Sequence, residues 1–182
     1  MNISKLLLNS AVAAFLMIQP SHAEEDRLNS LFERLQTPDL QDWEQVEQAI
    51  WREWSQSGSK SMDLLLQRGR RAMSAGDNKT AIEHFTALTD HAPDFAEGWN
   101  ARATAYFGAG EYGLSIADIG RTLALNPRHF GAMQGLGRML EELGEYEDAL
   151  KAYKAAFAIH PYRPGLEEAI ERLEAEVSGQ DI

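Results

Sequence analysis

The stretch "WNARATAYFGAGEYGLSIADIGRTLALNP", residues 99–127, decides the fold, because its pattern recurs at a fixed spacing before and after it. It ends on Pro127, and Pro93 and Pro161 lie 34 residues to either side. A fixed period of this length is the sequence signature of a repeat protein. The other positions that keep their chemical type in three copies are Leu65, Trp99 and Met133; Gly69, Ala103 and Gly137; Gly76, Gly110 and Gly144; Asp77, Glu111 and Glu145; Ala81, Ser115 and Ala149; Ile82, Ile116 and Leu150; and Phe85, Ile119 and Tyr153.

Each copy is predicted to form two helices separated by its central glycine. A glycine just past a helix end adopts the left-handed conformation that stops the helix. The proline ends the second helix, because the residue before a proline is pushed out of helical geometry. One helix pair cannot bury its apolar face alone, so the copies must stack. The sequence therefore predicts an all-α, right-handed solenoid of three helix pairs, at residues 62–95, 96–129 and 130–163.

Residues 62–163 resemble the tetratricopeptide repeats. The copy at 99–127 follows that family's order of Trp, a small residue, Tyr, Gly, a small residue, a bulky residue and a closing Pro. The sequence departs from the pattern where the family prefers alanine, with Leu88 and Thr122 before Ala156. The resemblance implies a non-enzymatic module that binds an extended peptide or a helix of a partner protein. It does not identify the partner.

The resemblance also implies a concave groove lined by the first helix of each pair. Arg70 and Arg138 could pair with carboxylates there, and the amides of Asn100 and Gln134 could bind an extended backbone. We hypothesise that Gly131 gives a bound backbone room to approach, because a helix glycine costs about 1 kcal/mol relative to alanine. The predicted groove residues are Leu66, Arg70, Met73, Asn100, Thr104, Phe107, Gly131, Gln134 and Arg138.

One ligand class is not expected. Members of the family that grip the C-terminal carboxylate of a chaperone use basic and amide side chains at set positions of their first helices. The residues at those positions in this chain are Leu66, Arg70, Ala101, Gly131 and Gly135. Of these, Arg70 alone carries a positive charge.

The two ends of the chain are predicted to cap the solenoid. Residues 24–61 read as an N-terminal helical cap, a degenerate repeat that lacks the central glycine and the closing proline. Within it, Trp43, Val46, Ile50 and Trp54 form a stripe at helical spacing that is predicted to pack against the first repeat. The alternatives are an exposed docking patch or a contact between copies in a homo-oligomeric scaffold. Residues 164–182 read as a C-terminal capping helix and tail.

The first 23 residues have the layout of a secretory signal peptide. Lys5 precedes an apolar run from Leu6 to Ile18, and a small-x-small ending predicts cleavage after Ala23. We expect a periplasmic protein that serves envelope assembly or the maturation of exported proteins, with no membrane insertion of the mature chain. The net charge of −11 argues against a nucleic-acid partner.

Nothing in the sequence indicates catalysis or a cofactor. The chain has no cysteine, which excludes disulfides, thiol catalysis and thiolate metal sites. No histidine has a second ligand at i, i+4 spacing together with a third ligand nearby, so we expect no metal site. We also expect no catalytic residues, since the sequence contains neither a nucleophile elbow nor a phosphate loop.

Overall fold

The structure, a computed structural model, describes residues 22–180 of the chain and the side chains of residues 25–179. The predicted signal peptide lies outside the described residues, except that its last two positions begin the first helix. All the regular secondary structure in the described range is α-helix. The helices are α1 His22–Leu35, α2 Trp43–Trp54, α3 Lys60–Ser74, α4 Asn78–His91, α5 Ala96–Gly108, α6 Tyr112–Leu125, α7 Phe130–Glu142, α8 Tyr146–Ile159 and α9 Leu166–Gln180. None of these helices has the length and apolar character needed to cross a bilayer.

The glycines and prolines of the repeat end helices as predicted. Gly76, Gly110 and Gly144 follow α3, α5 and α7 with φ of +76°, +79° and +80°. After Gly110, the amide of Glu111 donates to the carbonyl of Tyr106 at 2.9 Å, which is the bond that closes a Schellman motif. The helices α4, α6 and α8 each end two residues before a repeat proline.

The three pairs α3–α4, α5–α6 and α7–α8 stack in chain order, and α9 packs on α8. The small residues lie where paired helices approach most closely. A methyl group added at Gly137 would lie 2.8 Å from the ring of Tyr153, and one at Gly69 would clash with the ring of Phe85. Both rings are buried. The predicted all-α helical repeat fold is confirmed.

The N-terminal helices do not pack where the sequence predicted. α1 and α2 form a hairpin whose apolar stripe is buried against Phe130, at the start of α7, and against Ile159, at the end of α8. Gln36 donates to the carbonyl of Ile159 at 2.9 Å, and Tyr162 donates to the carbonyl of Thr37. The prediction that the stripe packs against the first repeat is wrong, because the hairpin reaches across to the third repeat.

The reason lies on the outward face of α3. In the second repeat, Ala101 and Ala105 face the preceding helix α4 and are buried. One period earlier, the same positions of α3 are Gln67 and Arg71, both exposed, and the neighbouring Leu64 is 42% exposed. A polar face can end a helical stack without a further repeat. The first repeat therefore closes the solenoid itself, and the hairpin packs elsewhere.

Candidate functional site

The helix α2 lies along one edge of the predicted groove. This inter-repeat edge consists of the turns that join one helix pair to the next, at 92–95, 126–129 and 160–165. Near its C-terminal end, Trp54 stacks on His129 with ring centroids 4.4 Å apart. Near its N-terminal end, the ring of Trp43 lies 5.7 Å from the ring of His160. The hairpin thus forms a wall beside the first helices of the repeats.

Trp51 occupies the space above Gly131. A methyl group added at Gly131 would lie 2.8 Å from the edge of the Trp51 ring, and the same ring packs edge-on against His129 and Phe130. The group that approaches Gly131 closely is therefore the ring of Trp51, which belongs to the same chain. The space that our hypothesis reserved for a bound backbone is already filled.

A buried carboxylate beside this wall joins the first repeat to the second. Glu97, at the start of α5, is 3% exposed and accepts hydrogen bonds from Arg70 at 2.5 Å and Asn100 at 3.0 Å. Its second oxygen lies 3.0 Å from Nε2 of the fully buried His129. Because Nδ1 of His129 accepts from the amide of Ala132, the ring proton lies on Nε2 and is donated to Glu97.

A second carboxylate holds the other end of α2. Glu47 lies 3.2 Å from Nε2 of His160, accepts from Trp51 at 3.0 Å and pairs with Arg163. Burial by itself raises the pKa of Glu47. The hydrogen bonds from His160 and Trp51 and the charge of Arg163 outweigh burial and lower this pKa from 4.5 to about 2. The ionised carboxylate therefore stabilises the docked hairpin.

This pKa predicts that the hairpin loosens in acid. Above pH 4.5 the ionised Glu47 contributes its full stabilisation, about 3 kcal/mol for a pKa shift of this size, and this contribution is lost as the pH falls towards 2. We expect Glu47→Gln to lower the free energy of unfolding at pH 7 and to differ less from the wild type at pH 3. Urea unfolding followed by tryptophan fluorescence measures both. Glu44→Gln, one turn away and exposed, is the control; equal losses at pH 7 and pH 3 for Glu47→Gln would contradict the assignment.

The open part of the groove is a cavity of about 160 Å³ between α5 and α7, with α6 behind it. Five of the predicted groove residues line it: Asn100, Thr104, Phe107, Gly131 and Arg138. Its floor is apolar and buried, formed by the side chains of Ala103, Ile119, Ala132 and Met139. The guanidinium of Arg138 lies over the Phe107 ring at 5.2 Å and is 68% exposed. The cavity thus has an apolar interior and a basic edge.

The other four predicted residues lie outside this cavity. Leu66 is buried in the core of the first repeat, and Met73 packs against the same core. Arg70 is bound to Glu97 and to Ser55. Gln134 accepts from Arg163 at 2.5 Å in a separate cleft beside Trp43 and Trp51. These side chains take part in packing and in the docking of the hairpin, and Leu66 and Arg70 also line a second open cavity of about 520 Å³ beside Ser55.

His129 and His160 stand beside Pro127 and Pro161 in the sequence, which does not reveal their carboxylate partners. Their carboxylates lie 32 and 113 residues away in the chain, at Glu97 and Glu47. No local motif could have paired them, since neither separation is a multiple of the repeat period. Among residues 25–179, no three His, Cys, Asp or Glu side chains are grouped in a way that could hold a metal ion.

Substitution by alanine is expected to change the free energy of unfolding in opposite directions at Gly131 and Gly135, the two glycines of α7 next to the groove. At Gly135 a methyl group would make an ordinary 3.8 Å contact with Ile119, so Gly135→Ala should raise the free energy of unfolding by up to about 1 kcal/mol. At Gly131 it would push Trp51 away, and we expect a net loss of about 1 kcal/mol. Urea unfolding measures both, with Gly120→Ala, which has open space around it, as the control. A Gly131→Ala variant as stable as the control would contradict the observed position of Trp51.

Comparisons with known proteins agree with the fold. The sequence pattern of the tetratricopeptide repeat matches residues 66–119 and 100–164. A TPR repeat-containing protein of Rhizobium etli is 32% identical over 160 residues, which cover 87% of this chain and 78% of that protein. Because this match leaves out only 13% of the chain, it must include α2. The small glutamine-rich tetratricopeptide repeat-containing protein 2 of Saccharomyces cerevisiae is 30% identical over 74% of this chain, and the match spans 38% of the yeast protein.

Solved structures show the same architecture. The first TPR of Spaghetti (RPAP3) bound to the HSP90 peptide SRMEEVD superposes with a TM-score of 0.63 at 22% identity, covering 66% of this chain and 95% of that one. The TPR2B domain of yeast Sti1 in its Hsp70 complex gives 0.59 at 22% identity, covering 67% of this chain and 99% of that one. MamA gives 0.62 at 25% identity, covering 66% and 70%. Sequence and fold together show that this chain belongs to the tetratricopeptide repeat family.

Proposed function

We propose that the chain is a non-enzymatic binding module that holds an extended peptide or a short helix of a partner protein in the open part of its groove. Tetratricopeptide repeats mediate protein–protein interaction, and of two structurally similar domains one was solved with an HSP90 peptide and the other in a pHsp70 complex. The observation that carries the proposal is the cavity between α5 and α7. It combines an apolar floor with exposed polar groups at its edge, the combination that orients a bound segment.

The proposed location is the periplasm, and the proposed role is envelope assembly or the maturation of exported proteins. The support is the signal-peptide layout of residues 1–23. Cleavage of the predicted signal peptide can be measured directly. Mass spectrometry of the exported protein should find a chain that begins at Glu24, and an intact N-terminus at Met1 would contradict export by this route.

Self-association through the tryptophan-rich helices is the second candidate. In the structure, Trp54 is buried and Trp43 and Trp51 are partly buried against residues of the same chain. This packing removes most of the apolar surface that the scaffold hypothesis required. Light scattering at high protein concentration separates the two candidates, since the groove hypothesis expects a monomer and the scaffold hypothesis expects an oligomer.

Photo-cross-linking tests the groove directly. A photoreactive amino acid in place of Phe107, which lines the cavity, should yield an adduct with a specific protein when the chain is expressed in bacteria that have a periplasm. The matched control carries the same amino acid in place of Lys151, which is 73% exposed on α8. Identical adducts from the two positions, or none from position 107, would contradict binding in the groove.

A further inference from the structure

The cavity between α5 and α7 exists because three side chains are smaller there than at the equivalent places of the first repeat interface. At the interface of the first and second repeats, Leu66, Phe85 and Ala101 are buried and fill the space. One period later, the equivalents of these three residues are Asn100, Ile119 and Gly135. Every substitution in this set either removes volume or replaces an apolar group with a polar one. At the next interface, large Tyr153 and buried Ala169 occupy the second and third of these places.

Gly135 contributes to the cavity without having a packing partner. Gly137, on the same helix, is covered by Tyr153, and Gly131 is covered by Trp51. At Gly135 a methyl group would meet nothing closer than Ile119 Cδ1 at 3.8 Å, which is an ordinary contact. The helix could therefore have carried alanine here at no steric cost. The glycine leaves the cavity open on its α7 side.

The chemistry of the lining selects an aliphatic occupant. Ala103, Ile119, Ala132 and Met139 are each at most 5% exposed, and they present only carbon and sulfur groups. The hydroxyl of Ser115 on the floor already donates to the carbonyl of Ala103 at 2.7 Å, so it does not require a polar ligand. An apolar cavity of about 150 Å³ is large enough to hold a benzene ring. A leucine or methionine side chain therefore fits.

The edge of the cavity adds a charge preference. Arg138 stands at the mouth, 68% exposed, and its contact with Glu142 is an exposed i, i+4 pair at 3.5 Å. Pairs of this kind contribute little stability, so Arg138 can exchange Glu142 for a carboxylate of a ligand. The side-chain NH₂ of the neighbouring Asn100 donates to Glu97, and the side-chain carbonyl of Asn100 is left near the groove.

We propose that this cavity is a specificity pocket that receives one leucine or methionine side chain of the partner, followed by an acidic residue that pairs with Arg138. The proposal rests on the proposed function and defines the peptide that the groove selects. Gly135 is the residue that keeps the pocket open, and Asn100 and Ile119 give it the size that the first interface lacks.

The test uses short peptides and methyl-labelled protein. Acetylated and amidated pentapeptides SGXDS, with X as alanine, leucine or methionine, are titrated into protein labelled at the methyl groups of isoleucine, methionine and threonine. The leucine and methionine peptides should shift the Ile119 and Met139 methyl signals saturably and bind at least about tenfold more tightly than the alanine peptide. The peptide SGLKS should bind more weakly than SGLDS, because a lysine cannot pair with Arg138.

Two variants fill the pocket without touching its mouth. Gly135→Ala adds one methyl group, and Ile119→Phe restores the ring present at Phe85 in the first interface. Both should weaken the leucine peptide, whereas the matched control Gly120→Ala on α6 should bind as the wild type does. If Ile119→Phe unfolds the protein, the affinity of Gly135→Ala for the leucine peptide still tests the pocket.

The outcomes separate the pocket from the groove. Shifts at Thr104 with none at Ile119 and Met139, or equal affinity for alanine and leucine peptides, would overturn the pocket while leaving groove binding intact. Equal affinity for SGLDS and SGLKS would overturn the acidic preference. If no peptide shifts any groove signal at millimolar concentration, the pocket is overturned and groove binding is judged by the cross-link from position 107 alone.

Discussion

Replacing Trp54 with alanine is expected to lower the free energy of unfolding by about 3 to 4 kcal/mol and to release the N-terminal hairpin. Trp54 is 9% exposed, and its ring stacks on His129 and contacts the rings of Phe32, Trp51 and Phe130. No other side chain of α2 joins both α1 and the third repeat through so many aromatic contacts. Its removal leaves a cavity that the surrounding helices can close only in part.

Hydrogen exchange shows which part of the molecule responds. In Trp54→Ala, the amides of α1 and α2 should lose protection while those of α5 to α8 keep most of theirs, because the repeats stack on one another independently of the hairpin. Arg52→Ala, an exposed change on the same helix, should leave protection unchanged. Unchanged exchange in α1 and α2 of the Trp54 variant would show that the hairpin is held by other contacts.

Replacing Glu97 with alanine is expected to cost about 3 kcal/mol of stability. The substitution removes the acceptor for Arg70, Asn100 and the buried Nε2–H of His129. Arg70 is 42% exposed and can turn to water, but His129 is fully buried and cannot. The unsatisfied imidazole therefore accounts for most of the expected loss.

A double-mutant cycle isolates this pair. We expect Glu97→Ala and His129→Ala to be less destabilising together than the sum of the two, with a coupling free energy of at least about 1 kcal/mol in urea unfolding. The matched control is Glu142→Ala, which removes an exposed carboxylate of a surface pair and should change stability by less than about 0.5 kcal/mol. Additive losses at positions 97 and 129 would contradict the observed hydrogen bond.

The repeats could be predicted from the sequence because their signals are local. Gly110 and Pro127 end helices through backbone geometry alone, and the structure has those ends where the 34-residue period placed them. The packing of small against large residues, as at Gly137 and Tyr153, follows from the same register. Phe107 and Arg138 were both predicted to line the groove, and in the structure the guanidinium of Arg138 lies 5.2 Å from the ring of Phe107.

The docking of the hairpin could not be predicted in the same way. Several of its contacts join residues more than 110 positions apart, such as Gln36 with Ile159 and Glu47 with His160, and helical periodicity shows only that a stripe is buried. One signal was present in the sequence. Gln67 and Arg71 stand where the second repeat has buried alanines, and two polar residues there leave the first repeat without an apolar face for a preceding helix.

The position of α2 also changes which residues remain for binding. Gly131 and Gln134 lie beside the hairpin and Leu66 lies in the core, so the open parts of the groove are the cavity around Phe107 and Gly135 and a second cavity beside Arg70. The chain thus supplies one wall of its own groove.

The most direct test of this arrangement is the environment of the α2 tryptophans in solution. In uniformly labelled protein, we expect nuclear Overhauser effects from the ring of Trp51 to the α-protons of Gly131 and from the ring of Trp54 to His129. These contacts place α2 against the third repeat. Effects from the same rings to Leu64 and Leu65 of α3, with none to Gly131, would show that the hairpin caps the first repeat and would contradict the account.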